Sequence, residues 1–267
     1  MSSASLSPTP ADVALGLESP RLREAGFRHA FFMRQGGVSA PPFDSLNFFS
    51  GSGDPVEAVA ENFRRAAASL AVPADQVYVL SQVHGTDHRV LAGTEPREEV
   101  LHEQGDITVS RAADVACGVR TADCVAILLA DRQSGAVAAV HSGWRGTVAG
   151  AGPAGVASLR ALIGDEGDIV AAVGPHIEQC CFEVGDDVAA TIAEATPLGR
   201  AVVEVRDPRP HVDMRRVIDR QLTDMGVEVD HVPGCTVCDQ KRFHSYRRDG
   251  KVSGRMLAAI VAAPRSP

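Results

Sequence analysis

The sequence predicts a single α+β domain, and three observations carry that expectation. Of the 267 residues, 45 % are hydrophobic, so the chain is not disordered and is long enough for one substantial core. Short apolar runs of strand length recur along it, interleaved with stretches of helical period. No linker or fixed-period repeat divides it, so one domain is expected over residues 21–267, behind a flexible N-terminal tail at 1–20.

Residues 27–33 read as a strand that runs into the glycine turn Arg34-Gln-Gly-Gly-Val-Ser39. Loop and short strand follow over 41–49. Asp54-Pro-Val-Glu57 opens a helix over 56–70, with Asp54 as cap, Pro55 at the first helical position and Glu57 three residues after the cap. A strand over 77–83 delivers Gln82-Val-His-Gly85, a charged loop covers 94–104, and short strands cover 106–110 and 115–119. Beyond Gly146 a helix is expected over 149–163, with Pro153 tolerated in its first turn, and then a strand over 169–173. Loop and strand follow over 174–184. Helices are expected over 186–195 and 213–225, the second capped by Asp213 and ended by Gly226, and then a strand over 227–232.

The stretch 121–146 carries the chemistry. Residues 125–131 and 136–140 are apolar and flank the turn Arg132-Gln-Ser-Gly135, which spells a β-hairpin. If Asp131 pairs with Ala136, Ala126 faces His141, and Cys124 lies two residues along the same face. Diagonal neighbours on one face have Cα atoms about 7–8 Å apart, within reach of a shared ion. His84 stands in a similar strand-end context. Two imidazoles and a thiolate suit zinc, with a fourth position left for water, as in a catalytic site; such an ion lowers the pKa of water to about 7. The same donors fit a His₂Cys copper centre or a metal-free Cys–His nucleophile pair. Asp123 is a candidate to orient a ligand or move a proton.

Arginines form a second group. Arg34 before Gly36-Gly37, Arg145 within Gly143-Trp-Arg-Gly146, and Arg247-Arg248 are candidate anion binders, because glycines let backbone approach an anion and guanidinium grips it bidentately. Cys235-x-x-Cys238 is read as structural or incidental: a zinc ribbon needs a second pair, and Cys180-Cys181 has the wrong spacing for one.

A net charge of −8 and 4 % aromatic residues argue against a nucleic-acid partner. The N-terminus lacks the pattern of a signal peptide and no apolar run reaches membrane-span length, so a cytoplasmic protein with no membrane partner is expected.

Several motifs together resemble one family: Phe31-Phe-Met-Arg-Gln-Gly-Gly-Val-Ser39, Ser45-Leu-Asn47, Gln82-Val-His-Gly85, Thr121-Ala-Asp-Cys124, Ala139-Val-His-Ser-Gly-Trp-Arg-Gly146, Gly174-Pro-His-Ile177, Cys180-Cys-Phe-Glu-Val184 and Ser245-Tyr-Arg-Arg-Asp-Gly250. The family is the polyphenol-oxidase, or laccase-domain, family, also named as purine nucleoside phosphorylases and peptidoglycan editing factors. The resemblance covers about residues 26–262. It implies a single-domain α/β/β/α sandwich with mixed sheets, related to the cytotoxic necrotizing factor catalytic domain. It implies Zn²⁺ (alternatively Cu²⁺) on His84, Cys124 and His141, with a small nucleoside and phosphate as partners; a monomer is the expected state. The implied activities are phosphorolysis of adenosine, inosine, guanosine and methylthioadenosine, and adenosine deamination. Older naming implies copper-dependent phenol oxidation, and a further alternative is a Cys–His amidohydrolase acting on peptidoglycan precursors. Asn47 and Gln82, with Arg34, Arg145 and His244, are the expected substrate-binding residues. Met33, Ser142 and His244 depart from the residues the family often has there.

Overall fold

The computed structural model describes residues 15–164 and 167–263; most of the expected tail, 1–14, lies outside the described residues. In chain order the elements are β1 (Gly16–Leu17), α1 (Pro20–Glu24), β2 (His29–Phe32), α2 (Val56–Ser69), β3 (Val77–Tyr78), β4 (His88–Leu91) and α3 (Arg97–His102). Then come β5 (Ile107–Ser110), β6 (Ala116–Thr121), β7 (Val125–Asp131), β8 (Val137–Ser142), α4 (Trp144–Ala149), α5 (Ala151–Ile163) and β9 (Ile169–Val173). The chain continues through α6 (Asp186–Glu194), β10 (Val203–Arg206), β11 (Arg209–Val212), α7 (Met214–Thr223), β12 (Glu228–His231), α8 (Tyr246–Asp249) and β13 (Met256–Val261).

Two mixed sheets, ordered β1-β2-β13-β6-β3 and β12-β9-β7-β8-β5-β4, build a mixed α/β domain. Strand β7 shows how they stack. Ala126, Leu128 and Ala130 pack with Cys117, Val119, Ala258 and Ile260 of the other sheet. The alternate residues Val125, Ile127 and Leu129 pack outward with Val156 and Leu159 of α5 and Val217 and Ile218 of α7. On the far side, Val59, Phe63 and Ala66 of α2 cover the outer face of the first sheet through Phe32, Leu257 and Ala259. Because both faces of each sheet are covered, the central strands read as continuous apolar runs rather than alternating ones. The layers are therefore helix, sheet, sheet, helix.

The hairpin register agrees with the sequence expectation. Ala126 faces His141, and the Asp131 N–H bonds the Ala136 carbonyl at 2.9 Å. Strand β9 also matches its expected bounds.

Several local expectations differ. The strand expected over 77–83 is continuous only at Val77–Tyr78, with one isolated parallel bridge further on, from Ser81 to Gln104. The charged loop 94–104 contains α3, opened by Pro96 with Glu98 and Glu99 in its first turn and held by buried Val100. Asp54 does not cap α2: its carboxylate turns inward, accepting from Ser39 Oγ at 2.6 Å and Asn47 Nδ2 at 2.8 Å. The helix expected over 149–163 is α5, and it is preceded by a short helix the sequence reading did not expect, α4, from which Gly150 at φ 84° separates it in a left-handed conformation that glycine adopts without strain. At the N-terminal end, residues 15–20 of the expected tail are structured: β1 pairs with β2, and Ser19 caps α1.

Candidate active site

Three chain segments meet at one end of the sandwich. His141 projects from β8, Cys124 stands immediately before β7, and His84 lies on the segment that enters β4. Their donor atoms all lie within 4.8 Å of one another, and Cys124 Sγ is 3.8 Å from His84 Nε2. The two imidazole rings are edge-to-face with centroids 4.9 Å apart. His84 and Asp123 both have positive φ, 64° and 89°. Non-glycine residues adopt that region at a cost of about 1–3 kcal/mol, and such strain concentrates at functional sites.

Asp106 organises the cluster. It is fully buried, and its Oδ1 lies 2.7 Å from His141 Nδ1 and accepts the His84 backbone N–H at 3.0 Å. Its Oδ2 accepts the backbone N–H groups of Gly85 at 2.7 Å and Val83 at 3.1 Å. One carboxylate thus orients the ring of one histidine and the backbone of the other, as an outer carboxylate does for histidine ligands of a metal. Burial alone would raise the Asp106 carboxyl, but the His141 bond and the two amides outweigh it, and it ionises below its ordinary range. Burial would likewise raise the Cys124 thiol. The charge and hydrogen bond of His141, joined by His84, instead lower it to about 6. His141, against the opposing effect of burial, is raised to about 9 by Cys124 and Asp106.

The donor set fits a divalent ion. Bonds of about 2.0–2.3 Å to nitrogen and sulfur place tetrahedral donors about 3.3–3.8 Å apart, close to the separation of Cys124 and His84. Gly143 leaves the room: a Cβ there would stand 2.6 Å from His84 Cδ2 and 3.1 Å from Cys124 Sγ. Gly143→Ala is therefore expected to displace both donors while β8 stays folded. Metal binding by the purified variant should weaken at least about tenfold, as losses around ligands do; unchanged affinity would count against this cradle.

The cluster forms part of the wall of a cavity of about 590 Å³, within the range of small-molecule sites, about 300–1,000 Å³. Arg120, Arg247 and Arg255 line it together with Phe49, Phe182 and Tyr246. Arg120 and Arg255 stand over the Phe49 ring at 5.2 and 5.6 Å, and Arg255 also lies 5.5 Å from Tyr246.

The sequence-derived candidates fall into three places. His84, Cys124, His141, Asp123 and Gln82 line the cavity. Asp123 accepts from Thr236 Oγ1 and from the Arg247 backbone N–H, both at 2.6 Å. Gln82 pairs with the backbone of Arg120 through two bonds of 2.8 Å. Asn47 is buried behind the wall, donating to the Phe49 carbonyl at 2.9 Å and accepting the Arg255 N–H at 2.7 Å. Arg34, Arg145 and His244 are elsewhere. Arg34 binds the Asp44 and Gln240 carbonyls in a separate cleft with Lys241 and Arg248. Arg145 is exposed and stacks on Trp144 at 4.4 Å. His244 is buried, and burial, aided by the Arg34 charge, lowers its ring to about 3.

Sequence reasoning missed Asp106, Arg120 and Arg255. Two signals were available: an acid at the opening of an apolar strand, and an arginine inside the otherwise uncharged run 115–122. Outside the cavity, Cys180, Cys181, Cys235 and Cys238 also converge, with sulfurs within 4.8 Å of one another. Spacing along the sequence does not reveal this convergence, because the turn at 178–182 presents adjacent cysteines rather than a second Cys-x-x-Cys knuckle.

Fold and site together define a two-sheet sandwich with a His₂Cys centre in the wall of a cationic, aromatic cavity. Residues 28–263 match the family described as multi-copper polyphenol oxidoreductase laccase, and the chain belongs to that family. It is 39 % identical to a purine nucleoside phosphorylase of Deinococcus radiodurans, over 94 % of this chain and 95 % of that protein. It is 35 % identical to the purine nucleoside phosphorylase YfiH of Escherichia coli, over 85 % of this chain and 90 % of that one. The crystal structure of YlmD from Geobacillus stearothermophilus superposes with a TM-score of 0.80 at 31 % identity, covering 91 % of this chain and 93 % of that one. A Bacillus licheniformis hypothetical protein, YfiH, shares the fold at a TM-score of 0.85 and 24 % identity, covering 94 % and 97 %.

Proposed function

We propose that the protein is a metal-dependent purine nucleoside phosphorylase, with His84, Cys124 and His141 holding zinc at the cavity. The observation that carries this reading is the convergence of those three donors on a wall that also presents Arg120, Arg247 and Arg255. The names of the relatives support the reaction class. A divalent ion there supplies a Lewis acid that polarises substrate oxygen and acidifies water.

The chain's own residues account for binding. Phe49 and Tyr246 offer ring faces for a purine. Arg120, Arg247 and Arg255 bind phosphate, and Asn47 and Gln82 hold Arg255 and Arg120 in position through their backbones. In phosphorolysis a phosphate oxygen bonds to C1′ of the ribose, the C1′–N9 bond breaks, and the base leaves with a proton to give ribose 1-phosphate. Adenosine, inosine, guanosine and methylthioadenosine all carry that bond. The same reading includes adenosine deamination, in which water adds at C6 and ammonia departs; Asp123, at the cavity wall, is the group to carry the proton. The partners in this reading are nucleoside and phosphate, with the chain acting as a monomer in the cytoplasm. Among the described residues, no helix is long and apolar enough to cross a membrane.

The test is turnover of the zinc-loaded protein on each nucleoside, with and without phosphate. Arg255→Ala should raise the KM for phosphate about 10–100-fold, the equivalent of a charge-assisted bond of about 1.5–3 kcal/mol, with a smaller change in kcat; an unchanged phosphate KM would remove Arg255 from that role. The family description favours a second reading, copper-dependent phenol oxidation. It predicts an intensely coloured copper-loaded protein that consumes oxygen with phenols. A Cys–His amidohydrolase would survive chelation and be lost on alkylation of Cys124.

A further inference from the structure

We propose that Cys180, Cys181, Cys235 and Cys238 form a second metal site, in which four thiolates hold one divalent ion, zinc by its donor set, in a closed tetrahedral shell. The geometry carries this. Cys180 Sγ lies 3.7 Å from Cys181, 3.6 Å from Cys235 and 3.7 Å from Cys238, and Cys181 Sγ lies 3.3 Å from Cys238. The other two separations are within 4.8 Å. A regular tetrahedron with zinc–sulfur bonds of about 2.3 Å has sulfurs about 3.8 Å apart. All six cysteines of the chain are free, and these four are too far apart to be disulfide-bonded, at about 2.05 Å.

The surroundings suit such a centre. Backbone pairing fixes Cys235: it forms a parallel bridge with His176, and its carbonyl accepts the Asp239 N–H at 3.0 Å. Four thiolates and a divalent ion leave a net charge of −2; Arg206 and Arg215 line the same cleft as Cys180, together with Glu178 and Asp213. On binding, the four thiols release their protons to solvent, and no redox partner is required.

With four protein ligands no position is left for substrate, so the site is structural. It ties two segments of the cavity wall together. Cys181 precedes Phe182, and its carbonyl accepts from Arg247 at 3.2 Å. Thr236, between Cys235 and Cys238, donates to Asp123 at 2.6 Å.

The decisive material is Cys124→Ser, purified anaerobically from zinc-supplied cells, which leaves the four-cysteine cluster intact. We expect about one bound zinc per chain and an X-ray absorption spectrum fitted by four sulfurs at about 2.3 Å. The double variant C181S/C238S should carry about one zinc fewer than the parent, with the remaining ion in a mixed nitrogen and sulfur shell. Should that variant not fold, the Cys124→Ser measurement still decides. Metal-free Cys124→Ser, a nitrogen-containing shell in it, an iron–sulfur chromophore, or a non-reduced mass lower by two hydrogens per cysteine pair would each overturn the site. Failure of the His84–Cys124–His141 reading would look different: the parent would then still carry the four-sulfur ion.

Discussion

Cys124→Ala is expected to remove phosphorolysis, with kcat/KM on inosine falling by about 10³-fold or more. Lewis-acid stabilisation is worth several kcal/mol, and each 1.4 kcal/mol is tenfold in rate. Fold loss does not explain such a result, because Cys124 sits half-buried on the turn before β7, where a Cβ-length side chain is tolerated. The thermal midpoint of the metal-free variant should therefore stay close to that of the metal-free parent. A companion result concerns the parent without metal. Its thiol ionises near 6 rather than at the ordinary 9, so alkylation of Cys124 by iodoacetamide should accelerate as pH rises through about 6 and then level off. A rate still climbing toward pH 9 would show that His141 and His84 do not share the thiol's proton.

Asp106→Asn is expected to have the next largest effect. The asparagine keeps the size and one acceptor, but loses the charge that orients His141 and cannot accept from His84, Val83 and Gly85 with two anionic oxygens. Metal affinity should drop about 10–100-fold, the usual penalty for an outer-shell carboxylate, and activity at limiting metal should drop with it. Excess metal should restore part of the rate, which a purely structural lesion would not allow. Stability gives an independent readout. The Asp106 carboxyl is held below its ordinary range by His141 and the two amides, so it contributes stability that is present above the ordinary value and is lost as pH falls through the depressed one. In the variant this acid-linked share disappears, and the difference from the parent narrows on acidification. Equal metal affinity of parent and variant would contradict the role given to Asp106.

What was legible in the sequence was mostly local. The hairpin register followed from one turn and the period of two, and it placed Ala126 opposite His141 and Cys124 beside it. Asp213 was legible as a cap because its carboxylate needs only the N–H of Arg216, three residues on. The misreadings share a non-local cause. Asp54 looks like a cap, yet Ser39 and Asn47 draw its carboxylate into a buried network that also contains Asn62. Short α3 is hidden in a charged stretch because one buried side chain, Val100, anchors it. After Tyr78 the segment keeps only a single bridge, Ser81 to Gln104, and then Val83, His84 and Gly85 wrap the Asp106 carboxylate.

The cavity was legible only in part for the same reason. Glycines beside Arg34 and Arg145 suggested anion binding, but local glycine says nothing of where a guanidinium points. Arg34 is spent on Asp44 and Gln240, and the arginines that face the cavity come from β6, α8 and the approach to β13. Only the pairing of β6 with β13 brings Arg120 and Arg255 to the same rim.

Inosine supplied to the zinc-reconstituted protein, with and without phosphate, tests the central claim most directly. The account predicts hypoxanthine and ribose 1-phosphate in equal amounts when phosphate is present, and neither product from Cys124→Ala. Base release at the same rate without phosphate, or undiminished in Cys124→Ala, would contradict it.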